Sequence, residues 1–234
     1  MRIDKYLADM NLGSRKEVHN LLKSKQVKLN GEIVISPKTQ VVEEDKIEVA
    51  GKQIAYQALH YFLMNKPKGV LSATEDLYQK TVIDLLKPSD RYRGLAPVGR
   101  LDKDTTGLLL ITNDGQLNHQ LLSPKKHVEK TYEALISGIP TIGTIDEFSS
   151  GLILPDGTKL RPAKLKILQV NEEKKLARIE IKIVEGKYHQ VKRMFLAVGM
   201  KVLELNRLTM GNLTLPLTLK RGEYVEITKD DIVG

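Results

Sequence analysis

The chain has 234 residues and no cysteine, with 37 Lys and Arg against 29 Asp and Glu for a formal charge of +8. The missing cysteine excludes a disulfide framework or a thiolate metal site within this sequence, and the length allows a large core in one domain or in two. The excess of cations favours an anionic partner, because a basic surface releases counterions when it meets a phosphate backbone. The charged start MRIDKYLADM and the lack of a long apolar run lead to the expectation of a cytoplasmic protein without signal peptide or membrane span.

In chain order, residues 4–10 read as a short helix and Asn11-Leu12-Gly13 as a break. Ser14 and Glu17 form a capping box that opens a second helix running to about Ser24, with Val18, Leu21 and Leu22 as its apolar stripe. Residues 27–29 and 33–35 read as a hairpin around Asn30-Gly31, a pair suited to a type I′ turn, and residues 47–49 as a closing strand. Arg2, Lys5, Arg15, Lys16, Lys23, Lys25 and Lys28 crowd the front of this segment, with Ser14 beside them. Its acids fall mostly later, at Glu43, Glu44, Asp45 and Glu48. Such segregation suits a face that tracks phosphates, whereas an even mixture reads as solvated surface. We therefore divide the chain into a small module at 1–50, a linker at 51–59 and a larger domain at 60–234.

The larger domain reads as α+β with mostly antiparallel strands. Ile179, Ile181 and Ile183 alternate with Arg178, Glu180 and Lys182, the period of a strand with one wet face, and residues 131–136 and 163–170 show a looser version. Helices are expected at 116–122, at 144–150 behind a Thr144/Glu147 capping box, and at 190–198, where Gly199 stops the last. There is no βαβ alternation and no glycine-rich phosphate loop, which argues against a doubly wound nucleotide-binding fold.

The stretch with most chemical promise is GRLDKDTTG from Gly99 to Gly107, which runs into the apolar residues 108–111. A loop with a basic group, two carboxylates and two hydroxyls, feeding a buried strand, can fix a charged side chain at the mouth of a pocket. Its Asp-x-Asp-x-Thr string resembles the nucleophile loop of haloacid-dehalogenase-type phosphatases, but there the apolar strand precedes the first aspartate, and here it follows. An aspartic-protease reading lacks the Asp-Thr-Gly spacing and a second copy. A structural acidic turn is the remaining alternative for the loop in isolation. The five histidines show no ligand spacing, so no metal is expected.

Two resemblances embed this loop. RIDKYLA, SRKEVHNLLKSKQVKLNGE and the acidic turn before IEV are similar to an S4 (αL-type) RNA-binding domain. YFLMNKPKGVLS, GRLDKDTTGLLLITNDG, EKTYEALISG and EGKYHQVKRMFLAVG resemble, in order and wording, the pseudouridine synthases of ribosomal RNA, and within them the RsuA type. That resemblance implies an isomerase without cofactor, acting on 16S rRNA at the uridine-516 position, with a large-subunit rRNA target as the alternative. A second alternative is a non-catalytic assembly factor that kept the scaffold. It further implies a small-subunit assembly intermediate as partner, and a monomer.

Carried over by position, the resemblance makes Asp102 the catalytic aspartate, Tyr132 the aromatic beside the target base and Lys192 the cation that pairs with the aspartate. Leu205 would be the apolar residue under the base, Arg100 would hold the flipped-out conformation, and Arg193 would meet RNA phosphate. A base within RNA structure must be flipped out to be reached, at a cost of a few kcal/mol that stacking on an aromatic ring offsets by about 1–3 kcal/mol.

Overall fold

A computed structural model describes residues 1–234, the side chain of Pro124 excepted. The chain forms two units, one of Met1–His60 with Leu86–Leu95 and the other of Tyr61–Leu85 with Ala96–Gly234.

In the first unit, α1 (Ile3–Asp9) and α2 (Arg15–Lys23) precede β1 (Val27–Leu29), β2 (Glu32–Ile33), β3 (Ile47–Val49) and β4 (Lys52–Ile54). The capping box that opens α2 is present: Glu17 N–H donates to Ser14 Oγ at 3.4 Å, and Ser14 N–H donates to Glu17 Oε2 at 2.7 Å. Ile3, Leu7, Val18, Leu22, Val27 and Ile47 are fully buried together, so the apolar stripe of α2 packs on α1 and the sheet. At the β1–β2 turn both Asn30 and Gly31 have positive φ, at 52° and 89°, as a type I′ turn requires. The second hairpin strand is shorter than the expected 33–35 and ends at Ile33.

The four strands run in the order β2-β1-β3-β4. β4 lies inside the stretch read as a linker, pairs antiparallel with β3 and supplies the Ile54 carbonyl that accepts from the Tyr6 hydroxyl at 2.7 Å. Residues 86–95 also belong to this unit, where the Pro88 and Ser89 carbonyls accept from Asn11 Nδ2 at 2.9 Å each.

The second unit contains β5 (Tyr61–Lys66), β6 (Ala96–Pro97), β7 (Thr106–Thr112), α3 (Gly115–Leu122), β8 (Lys130–Ser137), α4 (Ile142–Ser150), β9 (Lys164–Asn171) and β10 (Leu176–Ile183). It continues with α5 (Gln190–Ala197), β11 (Lys201–Met210), β12 (Leu213–Thr214), β13 (Tyr224–Glu226) and α6 (Lys229–Val233). Its nine-stranded sheet has the order β13-β5-β7-β11-β8-β10-β9, with β12 on β11 and β6 on β7. The pairing is antiparallel except between β7 and β11, which run parallel. Every residue of β7 is buried, which explains why its middle, residues 108–111, is continuously apolar instead of alternating. β10 keeps the expected alternation, with Ala177, Ile179, Ile181 and Ile183 inside. The capping box of α4 differs from the expected pair: Thr141 is the N-cap and Thr144 the reciprocating residue, because the helix begins a turn earlier.

Candidate active site

The GRLDKDTTG loop crosses from β6 to β7, and its far end is held by the close approach of two strands. Gly107 pairs with Arg207 in the parallel contact and has φ +104°. A Cβ there would lie 2.2 Å from the Arg207 carbonyl oxygen, so only glycine lets β7 and β11 meet. Beside it, Thr106 Oγ1 donates to Asn206 Oδ1 at 2.8 Å.

The loop is also held from beneath. Lys66, at the end of β5, is fully buried, and its ammonium donates to the carbonyls of Pro67 (3.1 Å), Asp102 (3.2 Å), Lys103 (3.4 Å) and Thr105 (3.0 Å). Burial pushes this lysine down to about 8, against the pull of Asp104 and Asp102, which favour its charge. Ser72 completes the mooring, its Oγ donating to the Leu101 carbonyl at 2.9 Å and accepting from Leu101 N–H at 3.1 Å. Lys66 falls within the YFLMNKPKGVLS motif, and the sequence pattern assigned it no part in the site. The available signal was a lysine in phase with Phe62 and Met64 on a strand buried throughout.

On this fixed loop Asp102 and Asp104 meet Lys192, which α5 presents at the edge of the face that buries Val191, Met194 and Phe195. Lys192 Nζ lies 2.8 Å from Asp102 Oδ2 and 2.6 Å from Asp104 Oδ1. The expected pairing of Lys192 with Asp102 is therefore present but shared with a second carboxylate. Burial works against the charge of Lys192, yet its hydrogen bonds to both carboxylates raise its pKa above the usual value. The Lys192 hydrogen bond is the chief reason that Asp104 is held below the usual carboxylate range. The two acids differ in access: the side chain of Asp104 is 58% exposed and that of Asp102 only 26%.

His189 Nε2 stands 3.4 Å from Asp102 Oδ1, on a residue held at φ 47° just before α5. Its ring stacks on that of the exposed Tyr188, with centroids 3.9 Å apart. Sequence reasoning gave neither residue a part in the site; their place between GK and QVKRM carried no geometric signal.

Around Asp102 opens a recess of about 70 Å³, lined by Arg100, Tyr132, Ile183, His189, Lys192 and Leu205. The fold thus brings together the sequence-predicted Asp102, Tyr132, Lys192, Arg100 and Leu205. Tyr132 and Leu205 are buried, on the adjacent strands β8 and β11, and with Ile183 contribute to the apolar part of the wall. Arg100 is exposed at the mouth. Arg193 does not join this group as a free cation, because its guanidinium is paired with Asp156.

In the first unit Lys5, Ser14, Arg15, Lys16, Lys23, Lys25 and Lys28 are exposed. Arg2 is exposed as well, and Asp4 accepts from its guanidinium at 2.6 Å and 3.0 Å. Among the described residues no group of three His, Asp or Glu is placed to hold a metal ion, and no helix is long and apolar enough to cross a membrane.

A carboxylate in a partly closed recess, with a lysine beside it, an aromatic ring and an aliphatic wall, suits attack on a flat, uncharged ring or its sugar. The RNA pseudouridylate synthase family matches residues 60–197, and the S4 domain matches residues 1–47. The chain belongs to the RNA pseudouridylate synthase family and carries an N-terminal S4 domain.

It is 46% identical to the uncharacterized RNA pseudouridine synthase YtzG of Bacillus subtilis (strain 168), over 99% of this chain and 97% of that protein. It is 39% identical to ribosomal small subunit pseudouridine synthase A of Vibrio cholerae, over 100% and 99%. Identity to ribosomal large subunit pseudouridine synthase B of Bacillus subtilis is 38%, over 99% and 93%. A solved structure described as the crystal structure of pseudouridylate synthase superposes with a TM-score of 0.67 at 35% identity, covering 99% of this chain and 98% of that one.

Proposed function

We propose that this enzyme converts one uridine of 16S rRNA to pseudouridine, at the uridine-516 position, with Asp102 as the acting carboxylate. The observation that carries the reading is the Asp102 recess, where the less exposed of two aspartates sits against Lys192 at 2.8 Å and shares its cavity with Tyr132 and Leu205. The reaction breaks the bond from ribose C1′ to N1, turns the detached uracil and joins C1′ to C5; the C5 proton is lost and N1 gains one. No group is added and no electron changes hands, so an ionised carboxylate, a place to hold the free base and exclusion of water suffice.

Lys192, 2.8 Å from the Asp102 carboxylate, stays as its counter-ion when substrate displaces water, and Tyr132 with Leu205 holds the flipped uracil. Arg100 at the mouth meets the displaced strand. Residues 1–50 grip RNA through Arg15, Lys16, Lys23, Lys25 and Lys28, residues 60–234 carry the chemistry, and the enzyme acts as a monomer in the cytoplasm on a small-subunit assembly intermediate. A base accessible in the intermediate is covered in the finished particle.

The small-subunit target is supported by full-length similarity to the Vibrio cholerae enzyme, and a large-subunit target by almost equal similarity to the second Bacillus subtilis protein. Mapping pseudouridines in both rRNAs from cells with and without the gene separates them. Loss of one 16S site is expected. Loss of a 23S site instead overturns the substrate, and unchanged maps in both overturn the enzymatic reading.

A further inference from the structure

A second cavity, of about 250 Å³, shares Arg100, Tyr132, Gly186 and Lys187 with the Asp102 recess and is lined in addition by Lys130 and Arg207. Strand geometry explains the grouping. Lys130 precedes Tyr132 by two on β8 and so shares its face, while Arg207 on β11 is the cross-strand neighbour of Tyr132.

Neither cation is neutralised. Arg207 is only 2% exposed, its Nε donates to the Leu108 carbonyl at 2.8 Å, and its Nη2 has no hydrogen-bond partner among the described residues. Lys130 Nζ donates to the Val128 carbonyl at 3.0 Å and to no carboxylate. Burial and then the neighbouring Arg207 charge push its pKa down to about 8. Glu185 is the one acid on the cavity wall, and it is engaged elsewhere: its Oε1 accepts from Arg161 N–H at 3.0 Å and Gln190 Nε2 at 2.9 Å, and Oε2 lies 3.7 Å from Lys187. A buried guanidinium with an unmet donor is costly to maintain, and an anion with several acceptor oxygens removes that cost.

We propose that this cavity is a phosphate subsite, in which Arg207 and Lys130 take one backbone phosphate of the RNA strand next to the uridine held over Asp102. The proposal rests on the reading of the recess as the uridine pocket. A nucleotide bound there brings its flanking phosphates with it, and Tyr132 forms a common wall between base and phosphate. Every substrate carries that phosphate, so the contact anchors the strand without reading its sequence.

The test has two arms. Inorganic phosphate, at about ten times its Kd, should raise the Tm of the wild-type protein by about 3–5 °C more than that of Lys130→Met. The general stabilising effect of phosphate salts is common to both proteins and cancels. An equal rise overturns the subsite. The second arm needs no variant: in an rRNA fragment containing the target, single phosphates are replaced by methylphosphonates one at a time on either side of it. One position should cost the wild-type enzyme about tenfold in affinity, the loss expected for a hydrogen-bonded ion pair. A flat profile overturns the assignment to RNA, and a phosphate response with a flat profile marks a site for free phosphate. Failure of the functional reading shows separately, as unchanged pseudouridine maps, and leaves the response to inorganic phosphate untouched.

Discussion

The Asp102 loop and the front of the first unit are both densely charged, yet their charges are used in opposite ways. In the loop the ions answer each other: Lys66 binds four carbonyls, and Lys192 bridges Asp102 and Asp104. In the module Arg15, Lys16, Lys23, Lys25 and Lys28 are exposed and make no ion pair among the described residues. A charge held internally has a fixed position and serves chemistry, which tolerates little misplacement. A charge left in solvent carries no desolvation cost in the folded chain and serves a long-range, salt-sensitive attraction to polyanions. The lesson is that net charge alone could not distinguish the two regions; partner distances do.

Substitutions should break or sharpen this contrast in a definite order. The largest effect is expected for Asp102→Asn, which should lower pseudouridine formation by at least about 10³-fold in a single-turnover assay while RNA affinity stays within a few-fold. A comparable loss of binding would mean that the loop also serves as an electrostatic anchor.

Next comes Lys66→Met, which removes the ammonium under the loop and should cost about 10–100-fold in kcat with a smaller change in KM, through loosened positioning of Asp102. The same variant has a pH signature. The pKa of Lys66 is about 8 in the folded chain and near 10.5 in the unfolded one, so between these values the unfolded state binds more protons. Wild-type stability should therefore gain from this group as pH rises from about 8 to 10.5, and chemical denaturation should show part of that gain missing in Lys66→Met. The remainder comes from Lys130, whose pKa is likewise about 8.

For the module, Arg15→Glu with Lys16→Glu should weaken RNA binding about tenfold at low salt and make the slope of log K against log salt shallower by about 2. Turnover at saturating RNA should hold, and an unchanged affinity would remove these residues from the RNA contact. The smallest effect is expected for Asp104→Asn, a few-fold loss of activity as Lys192 loses one of its two partners. If its loss matched that of Asp102→Asn, the division between the recessed and the exposed aspartate would fail.

Much of this was legible along the chain because it is local. The Ser14/Glu17 capping box, the Asn30-Gly31 turn and the alternation of β10 are set by neighbours within a few residues. Asp102, Tyr132, Lys192 and Leu205 were nominated by the resemblance of ordered motifs, and the fold brings all four to one recess. Other details depend on distant partners. Arg193 and Arg2 are cations along the chain, and only the fold shows that Asp156 and Asp4 pair with them. Residues 51–59 read as linker because β4 is recognisable only from its pairing with β3.

By itself, then, the amino-acid sequence determined the protein's class, its S4 domain, the Ser14/Glu17 cap and Asn30-Gly31 turn, and Asp102, Tyr132, Lys192 and Leu205 as residues of one recess. Those features depend on chemistry and spacing carried along the chain. Only the tertiary structure decided that Lys192 serves two carboxylates, that Lys66 holds the loop from below, and that Arg207 faces a cavity with an unmet donor. Each arises where strands remote in sequence lie side by side, and desolvation there sets the cost and the strength of every charge.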